Sequence, residues 1–190
     1  MKVVAFNGSA RKDGNTATLI KEVFKPLEAE GIETELVQMS GMNLGGCMAC
    51  YFCAENKDRR CAVDTDDMNM LIEKMDTADA IILGSPSYFS DVSAGMKAFI
   101  ERAGIVNRVN GNMLRRKVGA PVCAVRRCGA SHVLSSLNFF FFIAEMIVPG
   151  SSYWNMGRGK APGQVLDDEE GMKTMADLGA NMAWLLKKLA

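Results

Sequence analysis

The chain has a single histidine, His132, and no other side chain stands in a motif typical of an obligatory general acid or base. His132 is assigned a structural or solvent role, so chemistry that needs a dedicated imidazole is set aside. Net charge is also missing. The 22 basic residues balance 22 acidic ones, which excludes the one-signed surface that nucleic acids recruit. No long apolar run exists: Phe139 to Val148 is interrupted by Glu145 and falls far short of a membrane span. Val3 to Phe6 is too short for the hydrophobic region of an export signal, so the expected location is cytoplasmic. There is no G-x-G-x-x-G, and no Gly-Lys-Ser/Thr closes a Walker A loop. Repeats, low-complexity tracts and linkers are absent as well. What remains is an ordinary globular composition, read as one domain over residues 1–190.

Short Val- and Ile-rich runs alternate with helical patterns along the whole length. Strands are expected at Lys2–Phe6, Glu33–Met39, Ala78–Leu83 and Val118–Val125, with a short fifth at Met146–Val148. The first helix carries Leu19, Ile20, Val23, Phe24 and Leu27 on one face and ends near Gly31. Asp64 to Asp67 read as the capped, acidic first turn of a helix with Met68, Leu71, Ile72 and Met75. Later helices carry Met96, Phe99 and Ile100, run from about Ser131 to Glu145, and run from about Asp168 to Leu189. This alternation predicts an α/β fold, a doubly wound five-stranded parallel sheet of order 2-1-3-4-5 with helices on both faces.

In that topology the binding crevice opens where the loops after strands 1 and 3 leave the sheet. The first loop, Asn7 to Thr16, offers backbone N–H groups at a helix start, the hydroxyls of Ser9 and Thr16, the Asn15 amide and the cation of Arg11, all suited to a phosphate. The second, Gly84 to Phe89, sets Pro86, Ser87, Tyr88 and Phe89 where a planar ligand would lie. Together they indicate a mononucleotide with a flat head, such as FMN.

Cysteine is the exception to this ordinary composition. Four of six fall in an insertion at about 40–65 after strand 2, as Cys47, Cys50, Cys53 and Cys61 in the pattern C-x2-C-x2-C-x7-C. Such a run resembles iron–sulfur ligation. Structural zinc, a redox dithiol and a set of free thiols are the competing readings. The loop leaves strand 2 at the crevice edge, which would place a one-electron centre beside the flavin. Cys123 is expected in the core, and Cys128 lies in a crevice loop.

Asn7-Gly8-Ser9-Ala10-Arg11-Lys12-Asp13-Gly14-Asn15-Thr16, Gly84-Ser85-Pro86-Ser87-Tyr88-Phe89 and Met96-Lys97-Ala98-Phe99-Ile100-Glu101-Arg102 together resemble the NADPH-dependent FMN reductase and multimeric flavodoxin group. The cysteine insertion is similar to that of its iron–sulfur flavoproteins. The resemblance implies a flavodoxin-like fold, one FMN per subunit and a homodimer or homotetramer. It implies FMN phosphate binding by Ser9, Arg11, Gly14, Asn15 and Thr16. Pro86, Ser87, Tyr88 and Phe89 would border the isoalloxazine, and the loop from Arg126 to Gly129 would approach its other side. It implies a [4Fe–4S] cluster on Cys47, Cys50, Cys53 and Cys61, although seven residues separate the last two. The expected function is an FMN-dependent oxidoreductase passing electrons from NAD(P)H or ferredoxin to a small acceptor such as a quinone, flavin or oxygen species. A non-enzymatic electron carrier and a zinc- or thiol-based interaction module are the alternatives.

Overall fold

A computed structural model describes all 190 residues. β1 (Lys2–Asn7) is buried on both faces, with Val3 and Ala5 facing one layer and Val4 and Phe6 the other. It is flanked by β2 (Glu33–Gln38) and β3 (Ala80–Pro86); β4 (Val118–Val125) and β5 (Met156–Arg158) extend the sheet. All pairings are parallel, in the order β2-β1-β3-β4-β5.

α1 (Asn15–Ala29) and α6 (Glu169–Leu189) cover one face around Leu19, Val23, Leu178 and Met182. α3 (Met68–Thr77), α4 (Ala94–Val109) and α5 (Ala130–Ile143) cover the other around Met75, Phe99 and Phe141. α1 ends as its sequence dictates. Gly31 takes φ +74° and donates its N–H to Glu28, while the Ile32 N–H reaches Leu27 O, a Schellman closure. α6 approaches α1 closely because Gly179 lacks a side chain; a Cβ there would lie 2.2 Å from the Val23 carbonyl oxygen.

Two expectations are corrected. The fifth strand is Met156–Arg158, and Ile147 makes only an isolated bridge to Val118. Pro149, which lacks an N–H, and Gly150 stop that bridge from growing, so the chain loops outward before rejoining β4 at Cys123. The Asp64–Asp67 segment caps α3 only in part. Asp67, at the N-cap, makes no side-chain hydrogen bond, while Asp66 Oδ1 accepts the Met68 N–H at 3.2 Å and the same carboxylate pairs with Arg102. A short helix, α2 (Phe52–Asn56), lies inside the cysteine insertion.

Candidate flavin edge and cysteine cavity

The loops leaving β1, β3 and β4 are tied together at the carboxyl edge of the sheet. Asn7 is buried; its Oδ1 accepts the Ser9 N–H at 3.0 Å, and its Nδ2 donates to Gln38 Oε1 at 2.6 Å. Gln38 in turn donates to Ser9 O at 2.9 Å. Ser93 joins the first loop to the second: its Oγ donates to Gly8 O at 2.6 Å and accepts the Met96 N–H at 3.3 Å as the N-cap of α4. Gly8 is required there, since a Cβ would lie 2.9 Å from Ser93 Oγ.

α1 begins unguarded. Gly14 is its N-cap, no side chain caps it, and no acid occupies its first turn. Its first N–H groups therefore suit an anion. Ser9, Gly14, Asn15 and Thr16 are buried beside that terminus, while Arg11 is exposed and donates to Lys160 O at 3.3 Å. Asn15 has a second attachment, since its Oδ1 accepts the Val165 N–H at 3.4 Å from the turn before α6.

After β3, Tyr88 and Asp91 exchange backbone hydrogen bonds of 2.9 and 3.1 Å across Phe89 and Ser90, whose φ values are +48° and +65°. Two left-handed residues are the signature of a type I′ turn, normally filled by Asn and Gly. Here they carry side chains, and Phe89 is fully exposed. Neighbours hold this strain in place. Ser87 N–H donates to Ala124 O at 2.9 Å, and Ser136 Oγ donates to Asp91 Oδ1 at 2.7 Å. The Ser136 hydroxyl, followed by the Val92 N–H, keeps the Asp91 carboxyl below its ordinary range. Gly129, at φ +92°, presses on this turn; a Cβ would fall 2.5 Å from Ser87 Oγ.

Between these two loops lies an open cavity of about 340 Å³ lined by Ser87, Phe89, Ser90, Arg126, Arg127 and Cys128. The structure therefore gathers Ser87, Phe89 and Arg126 at one cavity, with Gly129 behind it. Pro86 closes β3 half-buried, and Tyr88 braces the turn without lining the cavity. Arg126 and Arg127 also line a neighbouring cavity of about 320 Å³ with Arg158 and Lys160, where Asp167 and Asp168 offset part of the charge. Asn7, Gln38 and Ser93 were not singled out from the sequence. A serine three residues before Met96 at a helix start is the one signal that marks Ser93.

The cysteine insertion leaves β2 at this same edge but then folds back along α4. The Cys47 N–H donates to Glu101 Oε2 at 3.3 Å, two helical turns and about 11 Å beyond the start of α4. The cysteines therefore sit alongside the helix, below the crevice edge. All four line one largely apolar cavity of about 240 Å³, with Met48, Ala49, Tyr51, Arg102 and Ile105. Cys53 is buried, Cys61 half-buried, and Cys47 and Cys50 exposed. Burial first, then the Cys61, Cys47 and Cys50 sulfurs, push the Cys53 thiol up. No three His, Cys, Asp or Glu side chains are drawn together as ligands of one metal ion.

Around that space the backbone is held in unusual conformations. Ala49, Tyr51, Lys57 and Arg59 all have positive φ, and the Ala49 N–H donates to Cys47 Sγ at 3.4 Å. Asn69 pins Cys61 from both sides, accepting its N–H at 2.8 Å and donating to its carbonyl at 3.0 Å. Cys123 stands apart in β4, where burial pushes its thiol up to about 12.

A five-stranded sheet of this order, with an open helix terminus after β1 and an aromatic turn after β3, defines a protein of the flavodoxin-like class. Residues 1–161 match the family described as NADPH-dependent FMN reductase, and the chain belongs to that family of FMN-dependent oxidoreductases. It is 38% identical over 194 residues to an iron–sulfur flavoprotein of Methanocaldococcus jannaschii, covering 98% of each chain. It is 31% identical over 189 residues to an iron–sulfur flavoprotein of Methanosarcina thermophila, covering 98% of this chain and 96% of the other. Among solved structures, RosB with bound 8-demethyl-8-formylriboflavin-5'-phosphate superposes at a TM-score of 0.78, with 24% identity, over 100% of this chain and 80% of that one. An NAD(P)H:quinone oxidoreductase from Methanothermobacter marburgensis superposes at 0.65 with 14% identity, over 96% of each. These likenesses establish the fold. No helix is long and apolar enough to cross a membrane.

Proposed function

We propose that this chain is an iron–sulfur flavoprotein: a single-domain, cytoplasmic FMN oxidoreductase that passes electrons from NAD(P)H or ferredoxin to a small acceptor, with a [4Fe–4S] cluster on Cys47, Cys50, Cys53 and Cys61. The observation that carries the cluster is four thiols lining one mostly apolar cavity in a chain of this family. Structural zinc more often takes two C-x2-C pairs set well apart, whereas a C-x2-C-x2-C run closed by a fourth cysteine is the kind that holds a cluster. All six cysteines are unpaired, which suits a reducing compartment.

FMN supplies the redox chemistry when bound; the protein groups position it. The open N-terminus of α1, with Ser9, Arg11, Gly14, Asn15 and Thr16, would hold its phosphate. Ser87, Phe89, Arg126 and Gly129, with Pro86 and Tyr88 behind them, would frame its ring system. Arg158 and Lys160, next to Arg126 and Arg127, would attract the phosphates of a nicotinamide donor.

Anaerobic purification tests this reading. Flavin bands with a broad shoulder that bleaches with dithionite, together with iron and acid-labile sulfide, are expected. Flavin without iron or sulfide removes the cluster, and zinc without flavin supports an interaction module. The carrier reading has one observation in its favour: Met48, Tyr51 and Phe52 are exposed around the cysteine cavity, as a protein electron partner would require. Rapid flavin bleaching by NADPH alone favours the reductase.

A further inference from the structure

Arg102 is the largest fully buried side chain, at 2% exposure, and it takes no part in the flavin edge. Its guanidinium faces two ways. The outer nitrogens meet Asp66: Nη2 donates to Oδ1 at 3.1 Å and Nη1 pairs with Oδ2. The same nitrogens donate to Val63 O at 3.0 Å and Gly45 O at 3.4 Å. The remaining N–H, on Nε, points to the side of that fork and donates to Cys61 Sγ at 3.3 Å. One planar cation thus holds both shoulders of the cysteine insertion and the sulfur at its end. A lysine ammonium has no such fixed fork.

We propose that Arg102 is the positioning residue of the cysteine cavity: it fixes the Cys61 sulfur there and raises the reduction potential of the iron–sulfur group that the sulfur helps to hold. This rests on the cluster reading above. Adding an electron makes such a group more negative, and a charged N–H directed at one of its sulfurs stabilises that state more than the oxidised one. Asp66 offsets the cation but binds its Nη nitrogens, which leaves the charged Nε–H as the group next to the sulfur. Asn69, by contrast, holds only the Cys61 backbone and carries no charge. Asn69 therefore holds the Cys61 backbone, whereas Arg102 holds its sulfur and sets the field there.

The test uses the double variant Arg102→Gln with Asp66→Asn, which removes both charges at similar shape and avoids leaving Asp66 buried without a partner. Arg102→Lys and Asn69→Ala accompany it. After anaerobic reconstitution, a redox titration followed by electron paramagnetic resonance reads the cluster, and visible absorbance reads the flavin. The double variant is expected to lower the cluster potential by about 59 mV, a tenfold change in a one-electron equilibrium, with the flavin potential unmoved. Arg102→Lys should also fall below the wild type, and Asn69→Ala should stay at the wild-type potential. In metal-free protein the Arg102 Nε–H should give a slowly exchanging ¹⁵N resonance that shifts in Cys61→Ala. An unshifted resonance overturns the contact. A loaded double variant at the wild-type potential overturns the tuning role alone. A wild type that assembles no cluster, while the resonance still responds to Cys61→Ala, overturns the tuning role together with the cluster reading.

Discussion

Phe89 carries an aromatic ring on a backbone conformation that its own Cβ disfavours, and it does so fully exposed to solvent. Neither burial nor local hydrogen bonding by its side chain explains that choice, whereas a flat ligand laid against the ring would. Phe89→Gly should therefore raise the stability of the flavin-free protein by about 1 kcal/mol, the relief of one left-handed residue, while weakening FMN binding. Thermal melts and flavin titration read the two effects separately, and a variant that binds FMN as tightly as the wild type would remove the ring from the site. At the cysteines, Cys50→Ala should abolish iron binding and retain FMN; losing both would show that the two sites are one. Small, hydroxylated and aromatic residues in a loop are conspicuous in a sequence, which is why Ser87 and Phe89 were expected to share a surface; the structure sets both at one cavity. In the sequence Arg102 stands only as the last residue of a family-like motif; its role depends on the insertion folding over the middle of α4, which no local pattern shows.

Two elements meet more closely than side chains normally allow where Gly179 of α6 lies on Val23 and Pro26 of α1. Gly179→Ala should destabilise the fold by about 1–3 kcal/mol, seen as a lower midpoint in thermal or urea unfolding, because its methyl group meets a backbone oxygen that cannot rotate aside. On the opposite edge, Glu35 of β2 links Lys2 of β1 at 2.8 Å with Lys74 of α3 at 2.5 Å. Hydrogen bonds from Lys2 and then Lys74 hold its carboxyl below the ordinary value of 4.5. A depressed folded value means that the contribution is present above 4.5 and is lost as pH falls through the lower folded value. The stability gap between wild type and Glu35→Gln should therefore be constant near neutrality and close in that acid window, as melts across pH would record. Strand order and helix faces were legible because period and burial agree in them. The fifth strand was misplaced because Met146–Val148 and Met156–Arg158 are equally short, and only the halt at Pro149 decides between them.

Across the whole molecule, cations gather on one side of the sheet's carboxyl edge although the chain as a whole has no net charge. Replacing Arg158 and Lys160 together with alanine should raise KM for NADPH severalfold and leave FMN affinity in place, with the difference shrinking at high salt. An unchanged KM would assign those charges to another task. Phe139, Phe142 and Ile143 form an exposed apolar face on α5, as the homodimer or homotetramer implied by the family resemblance would need. Analytical ultracentrifugation of Phe139→Glu with Phe142→Glu should show a smaller species than the wild type. Oligomer state was the least legible property, since an exposed ring in a sequence has no visible partner.

α4 is anchored at Ser93 to the flavin edge and at Arg102 to the cysteine cavity. One rigid rod therefore carries both sites, and within a subunit it acts as a ruler whose markings are residues. Adding or deleting a single residue between those two positions would turn the far anchor by about 100° around the helix axis and swing the guanidinium away from Cys61. Length in this segment is thus a constraint in its own right. A length change in a surface loop leaves both anchors in place, whereas one between Ser93 and Arg102 does not.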